Sequence, residues 1–143
     1  MAIRYLLYAS RLVAPLEHEA LNALLGTSQR NNRACGLTGF LHIEDQIVLQ
    51  YLEGEAQPLD STVGRIRNDK RHNGFVVLSE GTVEQRYFDG WRMALVESAT
   101  LSLFDLLGCR IVDVSAIKEA NPTDLIALLS ANASFLRDRP SVA

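Results

Sequence analysis

Residues 47–52 read Ile47-Val48-Leu49-Gln50-Tyr51-Leu52, and this run decides the fold. Side chains two apart share a strand face, so Gln50 stands with Val48 and Leu52, while Ile47, Leu49 and Tyr51 take the other side. A strand that is apolar on both sides reads as interior to a sheet covered on two faces. Burying an amide there without partners costs ~1–3 kcal/mol, so Gln50 needs either a protein group or a ligand to satisfy it.

Working outward, Gly36–Ile43 is strand-like, and the link Glu44-Asp45-Gln46 joins it to the Gln50 strand as a hairpin. Ile3–Tyr8 predicts a first strand. Leu16–Arg30, with Leu16, Ala20, Leu21, Leu24 and Leu25 at helical spacing, predicts an amphipathic helix. Gly54 ends the Gln50 strand, and Leu59, Val63 and Ile66 mark a second helix with Pro58 in its first turn. Phe75–Leu78 and Gln85–Leu95 predict two more strands around a turn at Gly81. The order β-α-β-β-α-β with an extra strand is that of an α+β, ferredoxin-like sandwich.

After Val96 the pattern becomes helical, over Leu101–Leu107 and Leu125–Leu136. Gly108 and Asn121-Pro122 interrupt it, with Thr123 or Asp124 as the cap. Residues 1–96 therefore read as the sheet domain. Residues 97–143 read as a helical extension, too short for a second enzymatic domain, that caps the sheet or contacts an oligomer or partner. The face carrying Ile47, Leu49 and Tyr51 needs cover from these helices or from another subunit, so a homo-oligomer is expected.

The chain has 143 residues and a net charge of −3. That length suits one domain, and the absence of a basic stripe argues against nucleic acid as a partner. No run reaches membrane-spanning length, and the N-terminus leads directly into strand-like sequence. Cys35 and Cys109 show no metal spacing and no C-x-x-C, as expected for reduced thiols in a cytoplasmic protein. His18, His42 and His72 fall on different elements without ligand spacing, so no metal site is expected. No nucleophile–base pair stands out, which argues against an enzyme.

Polar residues interrupt both predicted helices. Leu21, Leu25, Ser28 and Asn32 form one stripe that turns polar towards its C-terminal end, and Arg65, Asp69 and His72 repeat the spacing on the second helix. Two such stripes side by side on one sheet face would line a crevice suited to a planar ligand. Taken singly, each has a plainer reading. Asn31-Asn32 suits a helix end, Arg65 and Asp69 suit a surface pair worth ~0.3–0.5 kcal/mol, and Tyr8, Trp91 and Met93 suit core packing.

Taken together, Tyr8, Asn32, Gln50, Trp91 and Met93, with the segments SQRNN-x4-LTGFL, LQYLEG, RIRNDKRH and FDGWRM, resemble the BLUF family of blue-light sensors that use FAD. The resemblance runs from about Arg4 to about Leu95 and implies a short, single-domain photoreceptor holding FAD non-covalently between the two helices. It implies that Tyr8 gives an electron and a proton to the excited flavin, and that Gln50 links this phenol to the flavin and rearranges its hydrogen bonds. It further implies that Asn32, with Ser28, Asn31, Arg65, Asp69 and His72, binds the cofactor. Trp91 and Met93 would relay the signal, with the choice of which lies against the flavin left open. Output is expected through a separate downstream signalling protein. The alternatives are a small flavoprotein redox enzyme using the same crevice, or a ferredoxin-like module with no flavin.

Overall fold

The computed structural model describes residues 2–93, 95–96, 101–108 and 114–137. Five strands form one sheet: β1 (Ile3–Leu12), β2 (Thr38–Glu44), β3 (Ile47–Gly54), β4 (His72–Val83) and the short β5 (Leu95–Val96), in the order β4-β1-β3-β2-β5. The first four pair antiparallel, as a ferredoxin-like sheet does, and β5 adds to the β2 edge in parallel. Helices α1 (His18–Cys35) and α2 (Ala56–Arg67) connect β1 to β2 and β3 to β4. The C-terminal part supplies α3 (Leu103–Leu107), a 3-10 turn (Val114–Glu119) and α4 (Pro122–Arg137).

Every residue of β3 is buried, and the alternation read from the sequence sorts its side chains onto two cores. Val48 and Leu52 pack with Leu21 of α1 and with Leu59 and Val63 of α2. Ile47, Leu49 and Tyr51 pack on the other face with Leu103, Leu125 and Leu129 of the C-terminal helices. The chain's own helices thus cover the face for which a second subunit was the alternative, and that face supplies no argument for an oligomer.

Several boundaries differ from the sequence reading, each for a local reason. Helix α1 starts at His18 rather than Leu16 and runs to Cys35 rather than Arg30. The Asn31-Asn32 pair lies inside it, and Gly36, in the left-handed region at φ 71°, closes it by returning its N–H to the Asn32 carbonyl. Helix α2 stops at Arg67, so Asp69 and His72 do not extend its stripe. The Asp69 carboxylate instead accepts the backbone N–H of Arg71 at 2.9 Å, closing a turn, and His72 opens β4.

Gly81 is not a turn. Strand β4 passes straight through it, with Gly81 opposite Tyr5 of β1, where an added Cβ would lie 3.3 Å from the Tyr5 ring. The predicted strand Gln85–Leu95 reduces to β5. Before it, the N–H groups of Tyr87 and Phe88 go to the buried Glu53 carboxylate, both at 2.8 Å, instead of to a ladder. In the C-terminal part, Ser102 caps α3 and Gly108 ends it, whereas the cap of α4 is Asn121, one residue before Pro122, not Thr123 or Asp124. Cys35 is a free thiol; Cys109, like residues 97–100 and 138–143 of the predicted extension, lies outside the described residues.

Glu44, at the end of β2, joins the sheet to the C-terminal helices. Its carboxylate accepts from the Ser102 hydroxyl, from the Leu103 N–H at 2.7 Å and from His42 Nε2 at 2.8 Å. Burial works against this carboxylate, but the hydrogen bonds from Ser102, His42, Leu103 and Phe104 outweigh it and hold its pKa below the usual value. Burial likewise lowers the pKa of His42, against the pull of Glu44, and the ring's Nδ1 has no partner. Both folded pKa values are depressed, so the unfolded chain binds more protons and stability falls with falling pH. For His42 the fall begins near its ordinary 6.5, and for Glu44 near 4.5. Thermal midpoints are expected to drop between about pH 7 and 5, and His42→Gln should flatten that slope. An equal slope in the variant would remove His42 as its source.

Candidate functional site

The site is built on the central strands. Tyr8 of β1 and Gln50 of β3 are direct cross-strand partners, so their side chains leave the sheet on the same face, beneath α1 and α2. The Tyr8 hydroxyl donates to Gln50 Oε1, and Gln50 Nε2 donates to the Met93 sulfur at 3.4 Å. Tyr8, Gln50 and Met93 are 3%, 5% and 2% exposed. Phe75 stacks on the Tyr8 ring with centroids 4.6 Å apart. Burial, helped by the Asp69 charge, pushes the Tyr8 pKa far above the ordinary phenol value, so this residue is a neutral donor at any physiological pH.

Gln50 therefore finds one good partner and one weak one, because a thioether is a poor acceptor. Beside it a cleft of about 90 Å³ opens between the two helices, with Tyr8, Ser28, Gln50, Asp69, Arg71 and His72 in its wall and Leu24, Leu41 and Ile66 as apolar lining. Arg71 grips Asp69 through Nε at 3.0 Å to one oxygen and through Nη2 to the other. That pairing holds the Asp69 carboxyl at about 2. His72 donates from Nε2 to the Ile66 carbonyl, and its Nδ1 meets the Ser10 hydroxyl at 2.7 Å.

The remaining predicted residues are placed around this cleft rather than in its wall. Asn31 reaches across to α2, donating to Thr62 at 3.3 Å and accepting from Arg65, so the two helices are tied together there. The predicted Arg65–Asp69 pair is replaced by these bonds and by Asp69–Arg71. Asn32 is buried and donates to the Arg92 carbonyl. Trp91 and Met93 part company: Met93 joins the core under α1 and α2, and Trp91 packs on the opposite face against Phe40, 6.0 Å away edge to face. Met93, and not Trp91, is the neighbour of Gln50.

The profile of the BLUF family, sensors of blue-light using FAD, matches residues 3–94. The chain belongs to this family.

Among curated proteins, the β subunit of the photoactivated adenylate cyclase of Euglena longa is 30% identical over 93 residues, covering 64% of this chain and 11% of that protein. The Euglena gracilis β subunit aligns with the same identity and coverage, so the chain spans about a tenth of the length of these relatives. Among solved structures, the ground state of BlsA superposes with a TM-score of 0.77 at 25% identity, covering 91% of this chain and 88% of that one. BlrB, a BLUF protein in its dark state, gives 0.74 at 22% identity over 93% and 97%, a likeness of fold.

The chromophore of a BLUF protein is FAD, and the residues present fit it. A flavin ring carries acceptors along one edge and flat apolar faces. The wall offers Gln50 Nε2, short of a good acceptor, the Arg71 guanidinium and the apolar Leu24, Leu41 and Ile66, and the amides of Asn31 and Asn32 and the Arg65 guanidinium stand around it. The cleft is smaller than the ~300 Å³ at which pockets for whole ligands begin, and Asn31 and Arg65 are the pair that ties its two helical walls together.

Two contributors went unread in the sequence. Arg71 sits two residues after Asp69 and so falls off any helical stripe; only the turn brings it into the wall. Glu53 is fully buried and organises the segment leading to Met93. Its signal was a carboxylate in the last buried stretch of an apolar strand. Among the described residues no group of three or more His, Cys, Asp or Glu side chains is placed to hold a metal, and no helix is long and apolar enough to cross a membrane.

Proposed function

We propose that Tyr8 and Gln50 are the photoactive pair of this blue-light sensor, that Met93 carries their state to the sheet edge, and that the chain acts on a separate cytoplasmic partner without catalysing a reaction itself. One observation carries this reading: a buried chain of contacts, Tyr8 to Gln50 to Met93, that starts in the cleft wall at Tyr8 and Gln50 and ends two residues before β5.

Bound FAD supplies the absorption of blue light and, once excited, an acceptor for an electron and a proton. Asn31, Asn32, Arg65 and Arg71 are the donors that would hold its polar edge, with Ser28, Asp69 and His72 completing the wall. Tyr8, kept neutral by burial, can give up its electron and proton together and so leave no net charge in a dry site. Gln50 has a carbonyl at one end and an amide at the other. Exchanging the two gives Tyr8 a donor in place of an acceptor and takes the N–H away from the Met93 sulfur. Such an exchange alters every hydrogen bond around the amide while the backbone of β3 stays fixed. Because β5 pairs with β2, and Glu44 at the end of β2 caps α3, a displaced Met93 segment has a contiguous route to the C-terminal helices.

The test is optical. FAD-loaded protein under blue light is expected to show a small, reversible red shift of its flavin absorption. Tyr8→Phe should keep the flavin and lose the shift, and an unchanged photocycle in that variant would remove Tyr8 from its role. Continuous flavin reduction by NADH with turnover would overturn the non-catalytic reading.

A further inference from the structure

Residues 91–93 run beside the sheet without a ladder of their own, and three consecutive carbonyls are held from outside. The Trp91 carbonyl accepts from the Gly39 N–H of β2 at 3.0 Å, and the Arg92 carbonyl accepts from Asn32 Nδ2. The Met93 carbonyl accepts from Gln29 Nε2 at 3.1 Å. Gln29 and Asn32 are three apart on α1, so one flank of that helix grips adjacent peptide units. The Met93 sulfur meets Gln50 Nε2 at 3.4 Å. Sulfur is a weak acceptor, and a thioether chain has free torsions, so this contact depends on where the Met93 backbone is held.

We infer that Gln29 is a positioning residue for the photoreaction: its bond to the Met93 carbonyl sets the Met93 sulfur against the Gln50 amide and thereby sets the lifetime of the light-induced form. This rests on the reading of Tyr8 and Gln50 as the photoactive pair. Gln29 is half-buried and does not line the cleft, so its effect runs through Met93 and not through the cofactor. In the arrangement described, the bond favours the resting form, in which Gln50 Oε1 faces Tyr8. Without it, the return to that form loses part of its driving force.

The experiment uses the full chain loaded with FAD and compares wild type, Gln29→Leu and Gln29→Lys. Gln29→Leu keeps the bulk and removes the donor, and Gln29→Lys restores a donor of sufficient reach. Gln29→Leu is expected to bind FAD and red-shift fully, but to recover in the dark about threefold more slowly or slower still, with Gln29→Lys returning towards the wild-type rate. Recovery at the wild-type rate in Gln29→Leu, or Gln29→Lys as slow as Gln29→Leu, would overturn the inference. A second readout does not depend on the variants folding. The chain has two methionines, so backbone 13C=O methionine labels Met93 with Met1 as the other site. A light-minus-dark infrared difference at the labelled carbonyl is expected, and a silent label would also overturn the inference. Absence of any red shift in the wild type would instead sink the underlying reading of Tyr8 and Gln50.

Discussion

Replacing Gln50 with leucine is expected to leave FAD bound and to abolish the light-induced red shift entirely. Leucine approximates the volume of glutamine, and its neighbours Val48, Leu52 and Leu41 already form an apolar wall, so packing in the α1/α2 core survives. What disappears is the side chain that, among the described residues, joins Tyr8 to Met93 through hydrogen bonds. The Tyr8 hydroxyl then lies buried without its acceptor, a loss of ~1–3 kcal/mol that is partly offset because no amide needs to be desolvated. Thermal stability should therefore move little and flavin content hardly at all. The light response has no comparable substitute, because leucine has no donor and acceptor to exchange. Absorption spectra before and after blue illumination decide the matter, and a normal red shift in Gln50→Leu would end the proposed mechanism at its centre.

That Gln50 would matter was legible because strand periodicity is simple. One residue in six was polar in a run apolar on both faces, and β3 is buried throughout. The same rule predicted the two cores and the order of the first elements, through Ile3–Tyr8 and the hairpin at Glu44-Asp45-Gln46. It failed where backbone donors found side chains instead of ladders. Asp69 was counted as a helical residue, but its carboxylate takes the Arg71 N–H and ends the helical spacing. In a strand over Gln85–Leu95, Trp91 and Met93, two apart, would share one face. The segment is not a strand, so the alternation does not apply and the two side chains enter opposite cores. Gly81 was read as a turn from its residue type alone, whereas its role is to leave room for the ring of Tyr5 across the β1–β4 pair. The last two depend on partners distant in sequence, which local periodicity does not report, and the Asp69 turn is local but has no helical spacing.

Glu53 is the clearest instance, and Glu53→Ala is expected to be the most destabilising single change among these residues. The carboxylate is fully buried and accepts from the Thr38 hydroxyl at 2.9 Å and from the N–H groups of Tyr87 and Phe88, both at 2.8 Å. Arg86 reinforces the same corner, donating to Thr38 at 2.9 Å and to the Gly36 carbonyl at 2.8 Å. Phe88, held there by its N–H, is buried against Phe40 and Tyr51. Alanine leaves three donors without their acceptor, each costing ~1–3 kcal/mol, and opens a cavity beside Phe88. The desolvation that a buried carboxylate imposes is relieved, which returns part of that sum. A net loss of about 3 kcal/mol follows, near 10 °C in the melting midpoint for a domain of this size. Glu53→Gln keeps one oxygen but turns an NH2 towards an N–H donor, so it should fall between wild type and alanine. Urea or thermal unfolding of the three proteins measures this directly. Because the corner also sets where the chain begins its path towards Met93, the alanine variant should in addition recover from light at an altered rate. A Glu53→Ala protein as stable as wild type would show that the buried carboxylate is a cost the fold carries, not a contact that holds this segment in place.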